Sequence, residues 1–214
     1  VALCRQRRAT LFMVFQAALA GVLSRLGAGT DIPIGTPIAG RGDDALAESL
    51  GFFVNTLVLR TDVSGNPTVA ELIDRVREVA LTAYANQDVP FERLVEELNP
   101  DRSTDRHPLF QVMLTFNNVD QQAALDTIHE LPGLRAEGYP VAAGEAKVDL
   151  ALTVTENFTD DAAPAGLRVT IQFRGDSYER AWVRDLADRL VRMLSGFLTA
   201  SERVDRIELL SAEE

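Results

Sequence analysis

Between Thr10 and Leu26 the chain places Leu11, Phe12, Val14, Phe15, Ala18, Leu19, Val22 and Leu23 on nearly every face of a 3.6-residue period. A helix with no polar face has to be enclosed, so this segment reads as a buried helix around which other elements pack. Thr10 supplies an N-cap hydroxyl, and Gly27 and Gly29 supply the stop.

What surrounds it is an alternation of strand and helix patterns. Ile32 to Ile38 is apolar and β-branched but contains Pro33 and Pro37, which predicts an edge strand or an extended segment. Phe52 to Arg60 is near-continuously apolar apart from Asn55 and Thr56, which predicts a strand buried on both faces. Thr68-Val69-Ala70-Glu71 matches a capping box opening a helix with the stripe Leu72, Val76, Val79 and Ala83, ending near Asn86. A second helix is expected from Pro90, with Leu94, Val95 and Leu98 on its apolar side. Leu109 to Phe116 reads as a strand. Val148 to Thr155 and Leu167 to Phe173 read as a hairpin across the Asp160 to Gly166 turn. A last amphipathic helix, from about Tyr178 to Thr199, is expected behind Asp176 or Ser177 as cap. No repeat or linker interrupts the 214 residues, so a single α/β layer structure is expected.

Composition removes several function classes. With 46% hydrophobic and 25% charged residues the chain has the make-up of a folded globular protein. A net charge of −11 excludes the basic face that displaces counterions from nucleic acid or anionic membranes, so neither is an expected partner. Arg5, Arg7 and Arg8 are the local exception and read as a solvated helix approach. Cys4 is the single cysteine, so no intrachain disulfide or Cys-rich zinc site can form; a reducing, cytoplasmic setting is expected. No run reaches the eighteen or so apolar residues of a membrane span. The chain opens at Val1 in mid-pattern, which leads us to expect an excerpt or a processed product.

The sequence contains no self-sufficient catalytic constellation. No serine carries Gly-x-Ser-x-Gly flanks, and Gly27-Ala28-Gly29 follows a helix where a dinucleotide fingerprint follows a strand. The acidic pairs Asp43-Asp44, Glu96-Glu97, Asp160-Asp161 and Glu213-Glu214 read as solvated. His107 and His129 are the only imidazoles, and neither has an orienting partner in sequence; both read as structural.

Four stretches, in order, resemble the condensation domains of nonribosomal peptide synthetases. They are Ile34-Gly35-Thr36-Pro37-Ile38-Ala39-Gly40-Arg41; Leu50 to Arg60 with its Phe52-Phe53-Val54-Asn55-Thr56 core; Asn86-Gln87-Asp88-Val89-Pro90-Phe91-Glu92; and Arg102-Ser103 through Arg106-His107-Pro108-Leu109-Phe110. In the last of these His107 stands where the family usually has Asn. The resemblance spans essentially the whole chain. It implies the C-terminal lobe of a two-lobed fold similar to chloramphenicol acetyltransferase, a mixed sheet with packed helices. The N-terminal lobe, with its His-His-x-x-x-Asp-Gly motif, would lie upstream of residue 1.

By the same resemblance the domain forms peptide bonds between carrier-protein-bound aminoacyl and peptidyl thioesters, and this chain would be inactive alone. The implied partners are the N-terminal lobe and the donor and acceptor carrier proteins, whose phosphopantetheine arms bring the substrates; no cofactor is expected on this chain itself. Two alternatives share the fold: a docking module that recruits a tailoring oxygenase, and an epimerase relative. No residue here is expected to be catalytic. Gly35, Arg41, Asn55, Arg60, Gln87, Asp88, Pro90 and Phe91 are expected to support the substrate tunnel and the lobe interface. Arg41, or as second choice Arg60, would pair with a carboxylate across that interface. Asn55, polar within an apolar strand, must find hydrogen-bond partners, in the backbone or across the tunnel, the backbone being the favoured source. The crossover to the other lobe is expected between Lys147 and Arg174.

Overall fold

A computed structural model describes residues 2–40, 49–100, 106–117, 146–159, 161, 163–198 and 202–210. The apolar segment forms α2 (Leu11–Leu23), preceded by a short α1 (Ala2–Arg7) and continued by a π-helical turn over Ser24–Ala28. The Thr10 hydroxyl accepts from the Met13 amide, and the chain leaves the helix through Gly27 and Gly29 at φ 95° and 88°. Those angles are open to glycine at no steric cost. Leu11–Ala28 is apolar and long enough to cross a membrane by composition, beyond what the sequence reading counted. In the fold this character is used for burial: Phe15, Ala17 to Ala20 (Gly21 apart) and Val22 sit at the centre of the core.

Beside it lies a five-stranded mixed sheet in the order β2-β1-β3-β4-β5. The strands are β1 (Asp31–Ile38), β2 (Asn55–Asp62), β3 (Val112–Asn117), β4 (Leu150–Phe158) and β5 (Pro164–Phe173). β1 and β2 are antiparallel, β1 to β3 and β3 to β4 parallel, and β4 to β5 an antiparallel hairpin. The helices α3 (Val69–Ala85) and α5 (Arg180–Gly196) join α2 in one layer through Leu72, Ile73, Val76 and Ala80 on one side and Val183, Leu186, Leu190, Met193 and Phe197 on the other. A short α4 (Phe91–Leu98) lies against β2 and buries no residue completely. The α/β class with mixed sheet and packed helices is as expected.

Several elements differ from the sequence reading, each for a physical reason. β1 is an interior strand and not an edge: its prolines are tolerated because the parallel ladder to β3 covers only Ile34 and Gly35, between Pro33 and Pro37. β2 is the edge and is covered on one face only, with Leu57, Leu59 and Thr61 buried in alternation; it begins at Asn55, three residues later than the apolar run, and Phe52 is 89% exposed. The stripe of α3 runs through Ile73 and Ala80, while Val79 and Ala83 are half-buried. Pro90 is the N-cap of α4 rather than its first residue. α5 begins at Arg180 behind Glu179, because Asp176 is engaged instead with Arg174 and Ser177. β5 starts at Pro164, so the hairpin turn is shorter than expected, closed by the Thr159 amide on the Ala163 carbonyl at 2.8 Å. Arg7 of the N-terminal cluster pairs with Asp74 of α3, tying α1 down.

The segment after α5 returns to the helical layer. Thr68 and Arg203 form an isolated bridge, Arg25 donates to the Ile207 carbonyl, and Val204, Ile207 and Leu209 are buried. A Cβ on Gly196 would lie 2.5 Å from Ile207, so the helix can be approached this closely only where it carries no side chain.

Candidate functional site

Asn55 opens β2 and reaches the chain between α3 and α4. Its amide nitrogen donates to the carbonyls of Gln87, at 2.9 Å, and Val89, at 2.8 Å. Its amide oxygen accepts from the backbone N–H of Phe91, at 3.0 Å, and of Thr56, at 2.8 Å. An asparagine side chain has two donor hydrogens and two acceptor lone pairs, and all four are used. The local reason is plain: α4 starts behind Pro90, which has no capping side chain, so the first helical amide takes its cap from another strand. Asn55 is therefore a tertiary cap, and the backbone reading of its partners holds.

The second half of the site is aromatic. Phe110 is fully buried, its ring centroid 3.9 Å from that of His107 and 6.0 Å from that of Phe91; Phe91 and His107 are 5.2 Å apart. The ring of Phe110 lies where Gly35 would carry a Cβ, at 2.3 Å. Ile34, its neighbour in the strand, faces the helical layer, so alternation puts Gly35 and the ring cluster on the opposite face of the sheet. Gly35, Asn55, the Gln87 to Phe91 turn and His107 with Phe110 thus form one continuous assembly, although they come from four separate stretches of sequence.

Burial pushes the His107 imidazole below its ordinary value of 6.5, opposed in part by a bond with the Phe110 backbone. The folded state thus resists protonation more than the unfolded state does. Stability contributed by the neutral ring is complete above about pH 6.5 and is lost as the pH falls through the lowered folded value. Urea midpoints measured between pH 7.5 and 5.5 should therefore decline in the parent chain and decline less in His107→Phe, which keeps the stacking and removes the titration. Equal slopes would place the cause elsewhere.

The remaining expected residues divide. Gln87 contributes its backbone carbonyl, Pro90 the helix start, and Phe91 its amide and ring. The Asp88 side chain is exposed and joins none of these contacts. Arg60 is on Asp31 of the neighbouring strand, with Nε 3.2 Å from a carboxylate oxygen, and that bond raises its pKa. The pair is exposed and local, so the Arg60 guanidinium is already matched within this chain. Arg41, Arg102, Ser103, His129 and the acidic pairs at 43–44 and 213–214 lie outside the described residues. Gly40, at φ 63°, packs on the carbonyl of Phe53, 1.7 Å from where a Cβ would stand, which joins the first stretch to the second. Among the described residues no group of three or more His, Cys, Asp or Glu side chains could hold a metal. The sequence reading did not place Phe110 in the site. Its signal was Gly35 itself, since a glycine inside a strand marks a close approach.

This assembly can organise a surface; it has no activated nucleophile or paired acid and base. The family model for the condensation domain matches residues 1–214. The chain is 53% identical, over 213 residues, to a probable non-canonical nonribosomal peptide synthetase, CymA, of Salinispora arenicola, and 49% identical to a dimodular nonribosomal peptide synthase of Bacillus subtilis. It matches over 99% of its own length in both cases and spans 3% and 9% of those proteins. Among solved structures, the X-domain from teicoplanin biosynthesis superposes with a TM-score of 0.88 at 34% identity, over 97% of this chain and 46% of that one. The X-domain has also been solved in complex with OxyB; that structure superposes at 0.85 with 32% identity, over 98% of this chain and 45% of that one. With its whole length matched by the family model, the chain belongs to the condensation-domain family.

Proposed function

We propose that this chain is the C-terminal lobe of a condensation domain and forms one wall of the tunnel in which two carrier-bound substrates meet. The amine of the acceptor aminoacyl group attacks the thioester carbonyl of the donor, a C–N bond forms, the C–S bond breaks, and the donor phosphopantetheine thiol leaves. The observation that carries this reading is the convergence of the four family-like stretches on one assembly around Asn55 and Gly35. Supporting it, the chain covers just under half of the X-domain chain, the share one lobe of two would take. The sequence holds no adjacent histidines, so the base comes from the other lobe in this reading. Arg41 would donate to a carboxylate of that lobe across the interface.

The test is an amide-formation assay with loaded donor and acceptor carrier proteins, read by mass spectrometry of the carrier-bound product. The chain alone should give none; the chain joined to an upstream lobe carrying the histidine motif should give product; Asn55→Ala in that domain should lower it by about tenfold or more, the loss expected when a positioning contact moves reacting groups. Full activity from the isolated chain would overturn the proposal. A docking role is the second reading, favoured by the X-domain neighbour solved with OxyB. Binding of an OxyB-type oxygenase, together with a degenerate histidine motif upstream, would decide for it. Epimerisation of an aminoacyl carrier in the same assay would decide for the third.

A further inference from the structure

The register of β4 puts a charged residue on the apolar face of the sheet. Leu150, Leu152 and Val154 are buried against the helical layer, and the alternation of a strand makes Glu156 the next residue on that side. Phe116 of β3 and Thr36 of β1 face the same layer, each near the carboxyl end of its strand. β1, β3 and β4 run parallel, so the three ends lie side by side, which is where open α/β sheets bind ligands.

With Phe12, from the first turn of α2, and Tyr84, from the last turn of α3, these residues line a cavity of about 310 Å³. That is the small end of the range for ligand pockets, about 300–1,000 Å³, and suits a single side-chain-sized group. Phe12 and Phe116 form one wall edge to face, with ring centroids 5.8 Å apart.

Among the described residues the half-buried Glu156 carboxylate has no ion-pair or hydrogen-bond partner, and neither has the hydroxyl of Thr36 or Tyr84. No lysine or arginine lines the cavity. Arg168 of the hairpin stands opposite Thr155, one residue before Glu156, so its side chain leaves by the other face of the sheet. A carboxylate drawn partly out of water without a counter-charge loses hydration that a cation restores. Aromatic rings attract a cation, and hydroxyl oxygens accept from an ammonium. An anion here would meet a like charge, and an apolar group would leave the carboxylate unpaired.

We infer that this cavity is a site for an alkylammonium group, with Glu156 as its counter-ion, the three rings as its walls and the Thr36 and Tyr84 oxygens as further acceptors. That the ammonium belongs to an aminoacyl substrate rests on the function proposed above; the chemistry of the pocket does not. The α-amine of such a substrate and a basic side chain present the same group, and the test separates them.

The 214-residue chain is titrated by calorimetry and by NMR of its aromatic rings with three probes: alaninamide, which carries an α-ammonium; N-acetyl-lysinamide, which carries only a side-chain ammonium; and N-acetyl-alaninamide, which carries none. One of the first two should bind saturably and shift the ring resonances of Phe12, Phe116 and Tyr84, and the third should not. Alaninamide binding assigns the site to the α-amine, N-acetyl-lysinamide binding to a basic side chain. Glu156→Gln keeps the shape and removes the charge, and should weaken binding about tenfold or more at an unchanged thermal midpoint. Failure of both ammonium probes, equal binding of the neutral probe to the parent chain, or undiminished binding in Glu156→Gln would overturn the inference. Because binding to the chain alone is measured, such a failure leaves the amide-forming reading standing, and a failed amide-formation assay leaves this site standing.

Discussion

Gly35→Val should unfold about 6–12 °C below the parent chain, because a misfit of about 3 kcal/mol in a domain of this size moves the midpoint by that much. The cause is a single contact. The new Cβ would stand 2.3 Å from the ring of Phe110, which is fully buried and backed by His107, so neither strand nor ring can yield cheaply. Pairing the substitution with Phe110→Leu should recover part of the loss, since contacting residues couple while distant ones add. A cost equal to the sum of the two single changes would mean that the clash is relieved elsewhere.

Asn55→Ala should cost about 2–4 kcal/mol, as four hydrogen bonds are lost at a half-buried position and two carbonyls, the helix-start amide of Phe91 and the amide of Thr56 lose their partner. The diagnostic variant is Asn55→Asp. An ionised carboxylate would turn an oxygen towards the carbonyls of Gln87 and Val89, where the amide nitrogen now donates. That carboxyl is expected to resist ionisation, with a folded pKa above its unfolded value of about 4. Relative to Asn55, the variant should therefore be least impaired below pH 4 and increasingly impaired as the pH rises through the raised value. Chemical denaturation at pH 4 and pH 7 measures this. A deficit independent of pH would show that Asn55 does not hold the turn through its amide.

Much of the architecture was readable from local rules. The capping box at Thr68 and Glu71, the all-apolar α2 and the β4–β5 hairpin are decided by contacts within a few residues of each other, and the folded chain keeps all three. The misreadings share one cause: strand positions depend on neighbours. Pro33 and Pro37 argued for an edge, but the ladder that would need their amides is only two residues long. The apolar run from Phe52 argued for a strand buried twice over, yet what would cover Phe52 is not set by its own sequence, and it is exposed.

The site divides along the same line. Sequence determined that Asn55 needed partners, that a helix began near Pro90 and that Gly35 belonged to a family-like stretch, because each can be read from one local context. It also showed no Gly-x-Ser-x-Gly elbow and no adjacent histidines. Only the tertiary structure decided that these three meet: that the partner of Asn55 is the uncapped start of α4, that the approach to Gly35 is made by Phe110, and that Arg60 answers Asp31. The reason is that each contact joins segments tens of residues apart, and their meeting is fixed by the β2-β1-β3 strand order, which no local pattern encodes.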